Sequence, residues 1–366
     1  PNTTADQESS LASANLVQLS ATITDKDGDT ATASVNLGSA ISFKDDGPSI
    51  SAGVVSANSL QVDETNLSTN ASVSFAGAFT PSYGADGAGT TTYGLNVSAA
   101  GVDSGLDDAA TGSNILLFLE GSNVVGRVGG AAGAVSFTVS VNASGVVTLD
   151  QQRAIMHTPN SGPDQEASLA AANLVQLTAT ITDRDGDSNN ATINLGEAIS
   201  FRDDAPSISA TAAAGNDSLQ VDETVLATNA TTNFAGLFSG NYGADGAGTT
   251  TYSLNVSAAG VDSGLDDSVT GSNILLFNEA GVIVGRVGGA AGPVSFTVSV
   301  NASGQVTLDQ QRAIIHTPNS GADQESSLSA ANLVQLSATI TDKDGDTATA
   351  SVNLGNAISF RDDGPS

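Results

Sequence analysis

The residues best suited to chemistry in this sequence are aspartates at alternate positions in a glycine-containing turn. The pattern Asp-x-Asp-Gly-Asp occurs three times, as Asp25, Asp27 and Asp29, as Asp183, Asp185 and Asp187, and as Asp342, Asp344 and Asp346. Three carboxylates at this spacing can surround one hard cation of calcium's size. The pattern is not an EF-hand, because the sixth and twelfth positions hold Thr30 and Asn36 rather than Gly and Glu. A solvated hairpin turn would use the same residue types, but recurrence after a clear strand favours calcium.

Two further acidic groups recur in each copy. The first combines the pair before a proline with the acidic residues of the next apolar strand: Asp45, Asp46, Asp63 and Glu64, then Asp203, Asp204, Asp222 and Glu223. A calcium ion bridging these groups would stiffen the segment between them, although exposed acidic pairs would look the same. The second group is Asp103 and Asp107, with counterparts Asp262 and Asp266. These residues are candidate ligands, but for them, and for Asp86 in its glycine-rich loop, a structural role is favoured over metal binding.

The residue types argue against an enzyme. A glycosidase needs a pair of carboxylates in a cleft, usually one lined by aromatic side chains, yet the chain has no Trp and 4 Tyr. His157 and His316 each stand beside Thr-Pro at a strand end, with no Ser or Asp partners near them in sequence, so structural roles are expected. With 2 His and no Cys, zinc and copper lack their usual ligands. Calcium is the expected cofactor, and no catalysis is predicted.

The charge of the chain limits its partners. It carries 39 acidic and 10 basic residues, a net charge of -29. This balance excludes a nucleic-acid backbone and an anionic membrane surface, and no apolar run is long enough to span a bilayer. Without Cys there is no disulfide to stabilise the fold, so bound metal is the expected substitute. The expected partners are therefore calcium and neighbouring repeats, in a monomer without membrane insertion.

Internal repetition organises the sequence. The aspartate turn recurs at offsets of about 158–159 residues, which predicts two full copies and part of a third. The motif Asp-Asp-Gly/Ala-Pro-Ser is taken to mark the end of each repeat. Residues 1–48 are then the C-terminal part of a preceding repeat, and 49–206 and 207–366 are full repeats. Cuts near Pro159 and Pro318 fit equally well and give 1–158, 159–317 and 318–366. The chain is interpreted as a fragment of a longer protein.

Short stretches of alternating apolar and polar residues predict strands throughout. Tyr93, Leu95 and Val97 alternate with polar residues, and Asn142-Ala-Ser-Gly145 separates two such runs as a hairpin loop does. Only the stretch from Asp6 to Asn15 and its later copies is predicted to be helical. The fold expected is all-β, with tandem immunoglobulin-like or cadherin-like β-sandwich repeats in an elongated array. Whether each repeat is one sandwich or two subdomains stays open.

Several longer motifs carry a family resemblance that covers the whole chain. They are Phe43-Lys-Asp-Asp-Gly-Pro48, Val62-Asp-Glu-Thr65, Tyr83-Gly-Ala-Asp-Gly-Ala-Gly89, Thr148-Leu-Asp-Gln-Gln-Arg-Ala154 and Ala179-Thr-Ile-Thr-Asp-Arg-Asp-Gly-Asp187. The chain resembles the tandem repeats of giant RTX-type adhesins exported by type I secretion from Gram-negative bacteria, a family involved in biofilm formation and host attachment. The resemblance implies calcium-stiffened β-sandwich extenders at the bacterial cell surface, outside the cell, that project a distal adhesive domain.

Two functions from different classes follow. The first is a structural extender with no ligand beyond calcium, favoured because near-identical copies add length to a stalk. The alternative is a module that itself binds a carbohydrate, a protein or a surface ligand. Such a module should carry an exposed aromatic or apolar patch in a variable loop.

Overall fold

A computed structural model describes residues 7–157, 164–213, 219–317 and 323–363. These residues form strands, turns and single-turn 3-10 segments, with no α-helix among them. The all-β expectation is therefore confirmed. None of the described segments is an apolar helix of membrane-spanning length.

The chain divides into two compact units. Unit 1 comprises Pro1–Ile155 and Glu166–Arg202, and unit 2 comprises Met156–Gln165 and Asp203–Ser366. The repeat boundaries proposed from sequence stay predictions. Pro159 and Pro318, on which the alternative boundaries depend, lie outside the described residues.

The strands of unit 1 are β1 Glu8–Ser10, β2 Gln18–Thr24, β3 Thr30–Asn36, β4 Ser42–Lys44, β5 Ser49–Ala52, β6 Leu60–Asp63, β7 Ala71–Ser74, β8 Phe79–Ser82, β9 Ala88–Val97, β10 Val102–Asp107, β11 Asn114–Glu120, β12 Asn123–Val128, β13 Val135–Val141, β14 Val146–Gln151, β15 Glu166–Ser168, β16 Val175–Asp183, β17 Ser188–Asn194 and β18 Ile199–Arg202. Its 3-10 turns are Ala14–Leu16, Gly38–Ala40, Glu64–Asn66, Ala76–Ala78 and Ala172–Leu174.

The strands of unit 2 are β19 Ser207–Ala210, β20 Leu219–Asp222, β21 Ala230–Asn233, β22 Phe238–Asn241, β23 Ala247–Val256, β24 Val261–Asp266, β25 Asn273–Glu279, β26 Val282–Val287, β27 Val294–Val300, β28 Gln305–Gln310, β29 Glu325–Ser327, β30 Val334–Asp342, β31 Thr347–Asn353 and β32 Ile358–Arg361. Its 3-10 turns are Glu223–Val225, Ala235–Leu237, Ala331–Leu333 and Gly355–Ala357.

Unit 1 is a sandwich of two layers. A six-stranded sheet in the order β10-β11-β12-β13-β14-β7 forms one layer, and the sheet β17-β16-β9 packs over it through β9, which lies against β11, β12 and β13. A third sheet, β15-β18-β6, contains the parallel pair β6 and β18. Alternation along β16 buries Leu177 and Ile181 completely while the intervening residues remain partly exposed.

One apolar core fills unit 1. The rings of Phe137 and Phe201 meet at its centre, with centroids 5.0 Å apart and planes inclined at 51°. Both rings are fully buried, and their tilted arrangement suits the quadrupoles of two aromatic side chains. The cluster runs without a break from Leu60 to Phe201. The residues of unit 1 from Leu60 to Phe201 therefore share a single apolar core.

Unit 2 repeats this architecture. Its six-stranded sheet has the order β21-β28-β27-β26-β25-β24, and its three-stranded sheets are β23-β30-β31 and β20-β32-β29. Phe296 and Phe360 take the central positions, with ring centroids 5.0 Å apart. The near-identical sequences thus give the same layers and the same core.

The segment that contains β1 to β4 differs from its later counterparts in burial. β2 and β3 form a hairpin in full register, yet Leu19 is 59% exposed and Ile23 is 73% exposed. Their counterparts Leu177 and Ile181 are completely buried, because β16 pairs with β9 and joins the sandwich core. The same apolar residues are therefore buried where a partner strand covers them, in β16, and exposed to solvent where none does, in β2.

The predicted helix between Asp6 and Asn15 is wrong for the described residues. Glu8–Ser10 is strand β1, which pairs antiparallel with β4, and only Ala14–Leu16 forms a single 3-10 turn. The later copies behave in the same way. The short polar stretch gains its backbone hydrogen bonds from a neighbouring strand, a non-local partner that local propensity does not register.

Candidate metal centre

The second aspartate turn joins two long strands of unit 1. β16 ends at Asp183, and β17 begins at Ser188 after the turn. Oδ1 of Asp183 accepts hydrogen bonds from the backbone N–H groups of Gly186 (3.1 Å) and Asp187 (2.8 Å). Gly186 has a φ of 109°, a backbone conformation that favours glycine. The first aspartate therefore shapes the turn that presents the others.

A second loop meets this turn. Asp46, just before β5, accepts hydrogen bonds from the backbone N–H of Ala85 at 3.2 and 3.1 Å. Gly84 has a φ of 69°, and a Cβ there would lie 2.3 Å from Oδ2 of Asp46. Glycine is required at this position by both backbone and space. The contact holds the loop that carries Asp86 against the acidic pair.

The result in unit 1 is a cluster of six aspartates: Asp45, Asp46, Asp86, Asp183, Asp185 and Asp187. Carboxylate oxygens of Asp45, Asp185 and Asp187 all lie within 4.8 Å of one another. Asp187 is only 1% exposed, and among the described residues neither of its carboxylate oxygens has a hydrogen-bond partner. A buried charge without a donor is costly, so a cation is the simplest partner for it.

The mutual repulsion of these carboxylates shifts their proton affinities. Burial, together with the charges of Asp45 and Asp183, raises the pKa of Asp187. Burial and the neighbouring charges of Asp45 and Asp46 also raise the pKa of Asp86. A hydrogen bond with Asp183, followed by burial, raises the pKa of Asp185 to about 6. These are the shifts expected when carboxylates share a site without a cation.

Unit 2 contains the same cluster, formed by Asp203, Asp204, Asp245, Asp342, Asp344 and Asp346. Asp245 is 2% exposed, and neither of its carboxylate oxygens has a hydrogen-bond partner among the described residues. Burial, followed by the charge of Asp344, raises the pKa of Asp203 and of Asp245 to about 8. Burial, then a hydrogen bond with Asp344, raises the pKa of Asp342 to about 7.

The donor chemistry of both clusters fits calcium. Every member offers carboxylate oxygens, which are hard ligands, and Ca²⁺ takes six to eight oxygens in adaptable geometry. Backbone hydrogen bonds already fix Asp183 and Asp46, so the geometry is largely set before an ion binds. Such an ion would neutralise the repulsion that raises the pKa values.

The first aspartate turn lies in a different environment. Asp25, Asp27 and Asp29 also place carboxylate oxygens within 4.8 Å of one another, but all three residues are exposed. The first turn is thus the exposed form of a motif whose first and last aspartates are buried in the later copies.

The predicted grouping of Asp45 and Asp46 with Asp63 and Glu64 is not the one assembled in unit 1. The proline-side pair joins the aspartate turn, as described above. Asp63 is at the end of β6, in register with Arg202, and accepts a hydrogen bond from the backbone N–H of Thr65 at 3.0 Å. In unit 2, Asp222 caps Thr224 in the same way at 2.9 Å.

Glu64 and Glu223 are buried beside side-chain and backbone donors. Oε1 of Glu64 accepts hydrogen bonds from Nε2 of Gln151 (2.6 Å) and from the backbone N–H of Ile155 (3.0 Å). Glu223 receives the equivalent bonds from Gln310 and Ile314. These glutamates are candidate ligands of another kind, as they stand outside the aspartate cluster of their own unit.

The third predicted group is engaged in local structure. Asp103 accepts hydrogen bonds from the backbone N–H of Gly105 (2.9 Å) and from Nδ2 of Asn114 (2.6 Å). Asp262 has the equivalent bonds in unit 2. Asp107 and Asp266 pair in register with Asn114 and Asn273 at the ends of β10 and β24. The structural interpretation explains this group without metal.

Sequence reasoning missed two kinds of site residue. The sequence favours a structural role for Asp86, although its recurrence as Asp245 within Tyr-Gly-Ala-Asp-Gly-Ala-Gly is a usable signal. His157 lacks acidic neighbours in sequence, yet Nδ1 of its ring lies 3.4 Å from Oδ1 of Asp203 in unit 2. Only the folding of distant segments brings that histidine to the cluster.

Comparison with known families follows the repeats. Three stretches, residues 1–38, 59–196 and 218–355, match one family, described as "Domain of unknown function (DUF5801)". The chain belongs to this family. The two longer DUF5801 matches begin at residues 59 and 218, and each contains one aspartate turn and one Tyr-Gly-Ala-Asp-Gly motif. No curated protein matches the chain.

Solved structures give only distant similarity to this DUF5801 chain. Drosophila N-cadherin EC1-4 is 11% identical over 86% of this chain and 49% of its own, with a TM-score of 0.22. An adhesin described as Ca²⁺-stabilized, which helps an Antarctic bacterium bind ice, is 13% identical over 92% and 55%, with a TM-score of 0.20. A tetra-tandem repeat from the extending region of a large adhesion protein is 16% identical over 95% and 56%, with a TM-score of 0.18. The chain spans about half the length of these structures, and TM-scores this low support no functional argument.

Proposed function

We propose that this chain is a calcium-stabilised structural extender: tandem β-sandwich repeats that supply length to a bacterial cell-surface protein. One observation carries the proposal. Both units place six equivalent aspartates around one turn, and each cluster buries a carboxylate that has no donor among the described residues, Asp187 in unit 1 and Asp245 in unit 2. A bound cation would stabilise such a site by neutralising its buried carboxylates.

The predominance of carboxylates in the two clusters favours an extender over an enzyme. Their members are aspartates held by backbone hydrogen bonds, and a stalk needs stiffness rather than turnover. Extracellular calcium modules bind with Kd values of roughly 10⁻⁴–10⁻³ M, which suits a surface protein. The bacterial adhesin context and the projection of a distal adhesive domain rest on the motif resemblance.

The exposure of β2 and β3, compared with the burial of their later counterparts, supports repeat boundaries that give 49–206 and 207–366. Leu19 and Ile23 are exposed in residues 7–47, whereas Leu177 and Ile181 are covered by strands that begin after residue 49. We infer that residues 1–48 are the last part of a repeat whose earlier strands precede them. An apolar face of this kind is otherwise rare on a stable surface.

Thermal unfolding with calcium and with EDTA tests the proposal. At about 10 mM calcium, each site with the affinity above should contribute roughly 1.4–2.7 kcal/mol to the free energy of unfolding. The expected result is a clearly higher midpoint in calcium. An identical midpoint in EDTA and in calcium would contradict the calcium role.

Three matched variants locate the effect. Asp187→Asn and Asp346→Asn each remove one negative ligand from a complete cluster and should lower calcium affinity about tenfold, or ~1.4 kcal/mol. Asp29→Asn changes the same position in the exposed first turn and should leave the calcium-dependent shift nearly unchanged. Equal effects from all three variants would show that the completed clusters have no special role.

A further inference from the structure

A second group of potential ligands, different in chemistry, lies at the ends of two parallel strands in unit 2. β20 and β32 pair in parallel with Asp222 opposite Arg361. The next residues after these strands, Glu223 and Asp362, therefore emerge side by side. The backbone N–H of Ile314 donates to Oε1 of Glu223 at 2.9 Å, which brings His316 to the same place. Ligand atoms of Glu223, His316 and Asp362 lie within 4.8 Å of one another.

The imidazole of His316 is fixed at one nitrogen and open at the other. The ring is buried, with the residue 7% exposed. Nδ1 lies 3.1 Å from Oγ of Ser326. Nε2 is 3.4 Å from Oε1 of Glu223, and among the described residues it makes no hydrogen bond. The open nitrogen is thus aimed at a carboxylate.

In one of its two neutral tautomers, His316 would leave a place for a cation between these two groups. When Nδ1–H donates to Ser326, Nε2 carries a lone pair that faces the oxygen of a buried carboxylate. Two electron-rich atoms in a buried setting repel unless a proton or a metal ion joins them. The separation of 3.4 Å also equals the edge of a tetrahedron whose metal–ligand bonds are about 2.1 Å.

We infer that Glu223, His316 and Asp362 form a binding site for a borderline divalent transition metal of the Zn²⁺ class. The donor set decides the class of ion: imidazole suits zinc, copper, nickel and iron, whereas calcium takes six to eight oxygens. One nitrogen and two carboxylates supply three ligands, and water completes a tetrahedral site. This site is separate from the aspartate clusters and goes beyond the proposed extender function.

The neighbours of the site behave as supporting partners of a metal centre. Nε2 of Gln310 donates to Oε1 of Glu223 at 2.7 Å and orients that carboxylate. Oγ of Ser326 lies 3.1 Å from Nδ1, the remote nitrogen of His316, where partners of metal-bound histidines are commonly found. At the position equivalent to Ser326, the preceding copy has Ala167. Because another copy of the repeat has alanine at this position, we expect the Ser326→Ala variant to fold normally.

Cobalt and zinc titrations of the full chain test the site. The background is His157→Gln, which leaves His316 as the only imidazole in the chain, and about 10 mM calcium keeps sites of millimolar affinity filled. We expect one Co²⁺ per chain, with a visible absorption band that Zn²⁺ displaces. Adding His316→Gln should abolish the band, and Ser326→Ala should weaken binding about tenfold.

The outcomes separate this site from the calcium clusters. Calcium-dependent melting shifts should be the same with and without the His316→Gln substitution, since His316 does not belong to an aspartate cluster. Absence of cobalt and zinc binding by the calcium-loaded chain would overturn the inference. Unchanged binding after His316→Gln would overturn it as well, by placing the ion elsewhere.

Discussion

Buried aspartates in this protein fall into two electrostatic classes. Asp267 has a fully buried carboxylate that accepts hydrogen bonds from Arg312 at 2.8 and 3.0 Å and from Thr270 at 2.8 and 2.9 Å. Hydrogen bonding to Arg312 is the main cause that lowers the pKa of Asp267 to about 2. Asp245 is nearly as buried but has other carboxylates around it, and burial raises its pKa to about 8. The first class is neutralised within the protein, whereas Asp245 has no hydrogen-bond donor among the described residues.

Removing the arginine that pairs with Asp267 should lower the free energy of unfolding. We expect Arg312→Met to destabilise the chain by about 3 kcal/mol, because it leaves the Asp267 carboxylate buried without its counter-charge. Urea unfolding at neutral pH measures this change. Arg286→Met is the matched control, since Arg286 pairs with Glu279, whose side chain is 42% exposed; its effect should be much smaller. Equal losses of unfolding free energy in the two variants would mean that the burial of Asp267 does not matter for stability.

At the scale of elements, one sequence pattern appears in two environments. Strands β2 and β16 have almost the same residues, yet β16 lies between β17 and β9 and β2 has only β3 beside it among the described strands. Every residue of β2 is exposed, whereas β16 alternates between buried and partly buried positions. Neighbouring residues determine that a segment forms a strand. How much that strand stabilises the fold depends on the sheet in which it pairs.

Truncation of equivalent leucines should reveal this difference. Leu177→Ala removes a completely buried side chain from the core of unit 1 and should cost about 2–5 kcal/mol. Leu19→Ala removes its counterpart, which is 59% exposed, and should change stability by about 0.5 kcal/mol or less. Urea unfolding of the two single variants makes the comparison. A large cost for Leu19→Ala would show that residues 7–47 have a covered apolar face in solution.

At the scale of the whole molecule, the charge of -29 makes the stability of the fold depend on pH. In the calcium-free protein, burial raises the pKa of Asp203 and of Asp245 to about 8 and that of Asp342 to about 7. Unfolded aspartates have pKa values of about 3.9. Between these limits the folded chain binds more protons than the unfolded chain, so the free energy of unfolding falls as pH rises.

We therefore expect the protein in EDTA to be less stable at pH 8 than at pH 5. Calcium requires the ionised carboxylates and releases their protons on binding, so its stabilising increment should be larger at pH 8. Urea unfolding at the two pH values, with EDTA and with calcium, measures both effects. Stability that increases from pH 5 to pH 8 in EDTA would contradict the expected role of these aspartates.

The site was partly predictable because its two main motifs are local. An Asp-x-Asp-Gly-Asp turn between alternating strands is recognisable from spacing alone, and so is the acidic pair before a proline. Asp86 was missed because its loop reads equally well as a turn, and the cluster becomes visible only when Asp46 meets Ala85. The predicted partnership of Asp63 with Asp46 relied on closeness along the chain, whereas in the structure Asp63 accepts a hydrogen bond from Thr65 and is in register with Arg202.

By itself, the sequence determined the all-β class, the two near-identical copies and the aspartate turns, since alternation, repetition and turn chemistry are encoded in neighbouring residues. Tertiary structure alone decided which carboxylates become buried together and which are neutralised by arginine. It also decided that β2 stays exposed while β16 is covered. The physical reason is that burial and charge pairing depend on strand partners far apart in the chain. Leu177 pairs with Leu95, and Glu223 meets His316 across 93 positions of sequence.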